Sequence, residues 1–155
     1  MEDRMKAIET RYKGYRFRSR TEARWAVFFD NLVCITEWQY EPEGFELDSG
    51  ARYLPDFRVH HTEYSDVWFE VKPRLGIEQL ITDRDWSKMQ EFAVSEKLIL
   101  LDGMPELKKY WQIGDQRLSR DDYLFNGNQP DFWNSQHMLD LEKAVNASRS
   151  YRYDK

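Results

Sequence analysis

Tyr53-Leu54-Pro55-Asp56-Phe57 and, further on, Val67-Trp68-Phe69-Glu70-Val71-Lys72 decide how this chain reads. The second stretch is dense in β-formers and is stopped by Pro73, so it reads as a strand. The first belongs to a strand predicted over Tyr53–Val59, with Pro55-Asp56-Phe57 inside it. Strand side chains alternate faces, so Glu70 and Lys72 share one side, roughly 7 Å apart at ~3.3 Å per residue, while Val71 turns into the core. Pairing of the two strands sets Asp56, fourteen residues before Glu70, beside that glutamate. Two carboxylates and an ammonium then converge at one end of a sheet.

Outward from that pair, Asp48-Ser49-Gly50 is a turn signal between Phe45–Leu47 and the returning strand, which predicts a hairpin. Ile35–Tyr40 reads as another strand. Ser19-Arg20-Thr21-Glu22 fits a capping box. Behind it Ala23, Ala26, Val27 and Leu32 recur at helical spacing, with Trp25, Phe28 and Phe29 adding bulk, so a helix is predicted over Thr21–Leu32. Residues 1–18 are polar and basic, with a short helical turn near Met5–Tyr12. Downstream, the run from His60 to Asp66 reads as a polar connection. Trp86, Met89, Phe92 and Ala93 mark a helix over Asp83–Glu96. Leu98–Leu101 is a continuous apolar run, the pattern of a buried strand parallel to its neighbour.

The order helix, three or four strands, helix, strand predicts an α/β arrangement with a central mixed sheet flanked by helices. The expected organisation is a basic N-terminal segment, 1–18, a core, 19–105, and an extension, 106–155, packed on or trailing from that core. Beyond Pro105 the pattern is weaker: a helix is expected within Asp131–Ala147, and Ser148–Lys155 is expected to fray.

The chain has 155 residues, 41% hydrophobic and 33% charged, the composition of one ordinary domain. Nothing approaches the ~20 apolar residues of a spanning helix. The start lacks an apolar secretory core, so cytoplasmic residence is expected. The single cysteine, Cys34, excludes an internal disulfide framework and a multi-cysteine zinc site. The net charge is −5, but residues 1–24 hold eight Lys/Arg against four Asp/Glu, a balance of +4 that leaves −9 elsewhere. An acidic body with one basic edge can hold nucleic acid when divalent cations occupy the acidic part.

Two carboxylates suit Mg²⁺, a hard cation that keeps several waters and accepts phosphate oxygens. A lysine beside them can orient or deprotonate the attacking water, provided neighbours lower its pKa, or contact the phosphate. Pro55-Asp56 followed by Glu70-Val71-Lys72 resembles the signature of the PD-(D/E)xK, or restriction-endonuclease-like, nuclease superfamily. The segments Gly14 to Phe29, Tyr40 to Phe45, Trp68 to Pro73 and Leu98 to Pro105 are similar to small phage and bacterial members. Coverage is about residues 13–105.

The resemblance implies an αβββαβ core and a Mg²⁺-dependent endonuclease acting on DNA in phage or bacterial DNA processing, with Mn²⁺ able to substitute. It implies metal ligation by Asp56 and Glu70 with help from the Val71 carbonyl, water handling by Lys72, and a water or second metal held by Glu22. It also implies residence in the host cytoplasm if the chain is phage-encoded. A homodimer or larger complex is expected as a partner, and neither a membrane nor a nucleotide cofactor.

Glu22 has a second reading, as the capping partner of Ser19, and a side chain aimed at a metal does not cap at the same moment. Lys13, Arg16, Arg18 and Arg20 read as a phosphate-tracking edge, Arg16, Arg18 and Arg20 alternating along one side of an extended segment. The alternative is a solvated basic stretch. His60 and His61 read as exposed loop residues, and Cys34 as a small buried hydrophobe. The rival to an enzyme is a catalytically silent module of the same fold that binds nucleic acid or a protein.

Overall fold

Thr10–Tyr12 (β1) pairs antiparallel with Tyr15–Phe17 (β2), Arg11 opposite Arg16. Lys13 and Gly14 turn the hairpin with φ of 50° and 83°. Two successive positive φ values make a type I′ turn, whose twist matches that of the strands. The helical turn expected near Met5–Tyr12 is therefore replaced over Thr10–Tyr12 by strand pairing. The computed structural model describes residues 8–32, 34–61, 66–73, 79, 82–114, 118–123 and 138–153.

Helix α1, Arg20–Asp30, begins where Ser19 leaves extended backbone and its Oγ accepts the Glu22 N–H at 3.2 Å. It buries Ala23, Trp25, Ala26, Val27, Phe28 and Phe29. The chain continues through β3 (Ile35–Tyr40), β4 (Phe45–Glu46), β5 (Arg52–Tyr53), β6 (Phe57–His61), β7 (Val67–Lys72) and α2 (Trp86–Phe92). It ends with β8 (Leu98–Asp102), β9 (Lys109–Ile113), β10 (Leu118–Tyr123) and α3 (Met138–Ser150).

Among the described residues the main sheet has six strands in the order β10-β9-β8-β7-β6-β3. β7 and β8 are parallel, from Trp68 opposite Leu98 to Lys72 opposite Asp102, and the other pairs are antiparallel. The chain is thus α/β with a mixed sheet. Strand alternation divides the core. Phe57, Val59, Phe69, Ile99 and Leu101 join the helix α1 side, while Trp68, Leu98 and Leu100 join Met89 and Phe92 of α2. The rings of Phe29, Phe57 and Phe69, all fully buried, meet at 5.2–5.3 Å. Each such ring contributes roughly 2–3 kcal/mol by leaving water. Cys34 is buried as expected.

Several sequence expectations are corrected. The strand predicted over Tyr53–Val59 is two strands: β5 closes a small hairpin with β4, and β6 starts at Phe57. Asp56 lies in the bend between them. Pro55 has no N–H to offer a ladder, so the chain breaks there. His60 and His61 complete β6 by pairing with Glu37 and Ile35 rather than starting a loop. The His60 ring is half-buried, held between Asp66 at 2.7 Å and Gln39 at 3.3 Å.

The second predicted helix is shorter at both ends, running Trp86–Phe92, and at its start the Asp83 side chain accepts the Asp85 N–H at 2.8 Å and holds a turn before Trp86. The end of the chain is not frayed over Ser148–Tyr153. Ser148 is fully buried, and Arg24 Nη1 donates to the Ser148 and Arg149 carbonyls at 3.0 and 2.7 Å, satisfying the C-terminal end of α3. The sheet also runs on past Pro105, through β9 against β8. Within the predicted Asp131–Ala147 helix, residues 131–137 lie outside the described ones.

Candidate active site

β6 and β7 run antiparallel with Phe57 opposite Phe69, so one step back from β6 sets Asp56 across from Glu70. The Val71 N–H donates to Asp56 Oδ2 at 2.8 Å and fixes that carboxylate at the sheet end. On β7, Glu70 and Lys72 point to one side, Glu70 Oε2 lying 3.8 Å from Lys72 Nζ. Val71 between them packs against the α1-side core. The pair expected from the sequence therefore meets, although Asp56 reaches it from a bend rather than from inside a strand.

Glu22 reaches the same sheet end from the first turn of α1. Ser19 Oγ donates to Glu22 Oε1 at 3.1 Å and accepts the Glu22 N–H at 3.2 Å. Glu22 thus stays in contact with its cap. Even so, the Glu22 charge is felt at Asp56 and at Glu70. Capping and proximity to the site, opposed in the sequence reading, coexist.

The electrostatics follow from burial. Glu22, Asp56 and Glu70 are 7%, 8% and 6% exposed. Burial, then the charges of Glu70 and Glu22, push Asp56 well above the usual carboxylate range, against the Val71 hydrogen bond. Burial pushes Glu70 up to about 7, although the Tyr53 hydroxyl and the Lys72 ammonium pull it down. Burial also raises Glu22. Buried acids without matching cations hold on to protons.

Three further residues shape the site and carry no sequence signal of their own. The Tyr53 hydroxyl donates to Glu70 Oε1 at 2.6 Å. Asp85 Oδ2 and Asp83 Oδ1 accept from Lys72 Nζ at 3.0 and 3.3 Å. Burial draws the Lys72 pKa down, but the Asp85 hydrogen bond and the charges of Glu70, Asp85 and Asp83 outweigh it, and the net shift is upward. In the metal-free chain the neighbours of Lys72 thus favour its ammonium form. Lys72 is an ammonium held between β7 and the turn before α2.

Glu41 adds strain and charge. Its φ is +47°, its N–H donates to the Asp56 carbonyl at 2.7 Å, and its charge raises both Asp56 and Glu22. A non-glycine residue in this region is sterically strained.

The donor set fits a hard divalent cation. Asp56 Oδ1 and Glu70 Oε2 accept no hydrogen bond from the described residues, while the second oxygen of each carboxylate is anchored. Among the described residues no group of three or more His, Cys, Asp or Glu side chains stands ready to hold a metal. Two carboxylates completed by water and phosphate oxygens are a set that suits Mg²⁺.

The basic residues are arranged differently from the expectation. Arg16 lies in β2, Arg18 in a bend, and Arg20 opens α1, so the three do not alternate along one extended side. The Ser19 cap ends the extended segment. Lys13 pairs with Asp30 at 3.1 Å, Arg16 with Glu9 at 3.2 Å and Arg18 with Glu41 at 3.2 Å, while Arg20 lies 5.8 Å from the Tyr153 ring centre. Among the described residues no helix is long and apolar enough to cross a membrane. Comparison with protein-family models, curated proteins and solved structures found no match to this chain.

Proposed function

We propose that this chain is a metal-dependent nuclease of the PD-(D/E)xK kind that hydrolyses phosphodiester bonds in DNA, an endonuclease of phage or bacterial DNA processing. The observation that carries the reading is the meeting of two buried carboxylates, Asp56 and Glu70, beside the Lys72 ammonium at one sheet end. Burial first, and then neighbouring carboxylate charges, raise their pKa values, and a divalent cation would offset both.

Asp56 and Glu70 are the residues to hold Mg²⁺ or Mn²⁺, with the Val71 carbonyl beside them. When bound, such an ion makes its water more acidic and offsets charge developing on the phosphoryl oxygens. Tyr53 and the Val71 N–H orient the two carboxylates. Lys72, an ammonium in the metal-free chain, is placed to bind a phosphate oxygen or orient the water. Glu22, tied to Ser19, adds negative charge and a place for a water or second ion.

The test is cleavage of supercoiled plasmid and of single-stranded and branched DNA. Activity is expected with Mg²⁺ or Mn²⁺, not with Ca²⁺ or chelator, and Asp56→Ala, Glu70→Ala and Lys72→Ala are each expected to abolish it with the fold retained. Wild-type protein that leaves all three DNA forms uncut with Mn²⁺ contradicts the proposal. The pairing of Lys72 with Asp83 and Asp85 favours a second reading, a silent module whose ammonium is already satisfied. Absence of Mg²⁺ and Mn²⁺ binding in calorimetry selects that reading. A homodimer or a larger complex remains part of the proposal and is tested by mass in solution.

A further inference from the structure

The β1–β2 hairpin carries a concavity of about 610 Å³ whose lining includes Arg11, Lys13, Tyr15, Arg16 and Tyr151. Arg11 and Arg16 are direct cross-strand partners, and both are exposed. Like charges placed opposite one another destabilise a strand pair. Glu9 neutralises Arg16 at 3.2 Å, whereas Arg11 has no ion pair among the described residues. Such a pair is relieved by an anion lying across both guanidinium groups.

Two aromatic side chains complete the concavity. Tyr15 and Tyr151 are 37% and 43% exposed, among the larger apolar side chains left open to water. Each is braced from behind. The Tyr15 ring lies 5.0 Å from Trp38, and Tyr151 lies 5.1 Å from Tyr12 and 4.8 Å from Tyr153. Rigid, half-exposed rings beside arginines are platforms on which unpaired bases stack while the arginines track the backbone. Duplex DNA keeps its base faces covered and offers these rings nothing.

The strand β2 leads from the concavity toward the candidate active site. One residue beyond β2, the Arg18 N–H donates to the Tyr40 hydroxyl at 3.3 Å, and its side chain pairs with Glu41 at 3.2 Å. The Glu41 N–H in turn donates to the Asp56 carbonyl at 2.7 Å.

We infer that the β1–β2 hairpin, with Tyr151, seats an unpaired DNA strand, its phosphates on Arg11 and Arg16 and its bases on Tyr15 and Tyr151. This rests on the nuclease reading for its purpose and narrows the substrate to DNA with a single-stranded flank, such as a flap, overhang or branch.

The test is fluorescence anisotropy with a labelled oligo-dT of about 15 nucleotides and a blunt duplex of the same length, in chelator, so that metal binding and cleavage play no part. Wild-type protein is expected to bind oligo-dT more tightly than duplex. The double variant Arg11→Ala, Arg16→Ala is expected to weaken oligo-dT about tenfold or more and to reduce the salt slope by about 1.4, two contacts at ~0.7 each for a single strand. Tyr151→Ala is expected to weaken oligo-dT about tenfold and leave duplex unchanged, with the fold retained.

Asp56→Ala should not weaken oligo-dT. Unchanged binding by the arginine variant, a wild-type preference for duplex, or an equal loss for a polyglutamate probe overturns the proposal. A protein that cuts plasmid but whose arginine variant still binds oligo-dT leaves the nuclease reading standing without it. A protein that cuts nothing but shows the expected binding pattern does the reverse.

Discussion

Two regions of this chain concentrate like charge, and they do so under opposite conditions. At the sheet end Glu22, Asp56 and Glu70 lie together at 6–8% exposure, and burial is the largest cause of each raised pKa. On the hairpin Arg11 and Arg16 face each other in water. Water and salt screen the arginines, so their repulsion costs the fold far less than repulsion among buried carboxylates. Little such screening reaches the buried carboxylates, whose raised pKa values mean that they hold protons to higher pH than free acids do. The sheet end therefore pays for its charge through burial, whereas the hairpin leaves its charge in solvent.

The largest expected contrast is in cleavage. Losing one metal-binding carboxylate removes several kcal/mol of transition-state stabilisation, so Asp56→Ala or Glu70→Ala should reduce plasmid cutting by about three orders of magnitude or more at any salt concentration. Arg11→Ala should reduce it by about tenfold, and lowering the salt should restore it. Equal losses from both ends would erase the contrast.

Stability against pH sharpens it next. Glu70 titrates at about 7 in the folded chain, against an ordinary 4.5. Between those values the folded state binds more protons than the unfolded one, so stability falls as pH rises through that window. Asp56, also raised, adds a contribution of the same sign. Chemical denaturation in chelator should lose on the order of 3 kcal/mol between pH 4.5 and 7.5 from these groups. Mn²⁺ should oppose that loss, most strongly at the higher pH. The exposed arginines should contribute no such slope.

A third test concerns how the hairpin is held. Asp30 accepts the Tyr12 hydroxyl at 2.6 Å and Trp38 Nε1–H at 2.7 Å, and pairs with Lys13. Asp30→Ala leaves these partly buried donors unpaired and should cost about 2–3 kcal/mol in denaturant titration. Oligo-dT binding should weaken with it, while Mn²⁺ binding should persist. The smallest expected effect is at Glu41. Asparagine tolerates positive φ better and carries no charge, so Glu41→Asn should stabilise the metal-free chain by about 1 kcal/mol, read as a higher melting temperature.

Residues whose role is set by their own strand were legible in the sequence. Ile35–Tyr40 has the predicted bounds, and Leu98–Leu101 is the core of β8, its apolar run matching a buried strand that pairs parallel with β7 and antiparallel with β9. Glu70 and Lys72 share a side because strand alternation leaves no other choice. What failed depended on partners. Pro55 was visible, yet its break in the strand appears only once β5 is seen to pair with β4. Leu118–Tyr123 carries no assignment from the sequence and forms an edge strand against β9. Asp83 and Asp85 lie eleven and thirteen residues beyond Lys72, and no local spacing announces that they hold it. Tyr53 stood inside the quoted stretch, but the aim of its hydroxyl at Glu70 is a tertiary fact.

The central claim is that Asp56 and Glu70 share a divalent cation, and calorimetric titration of Mn²⁺ into the chain at pH 8 tests it most directly. The account predicts saturable binding, accompanied by proton release when repeated near pH 6.5 in buffers of different ionisation enthalpy, and lost in both Asp56→Ala and Glu70→Ala. Binding that survives both substitutions, or a folded wild-type chain that takes up no Mn²⁺, would contradict it.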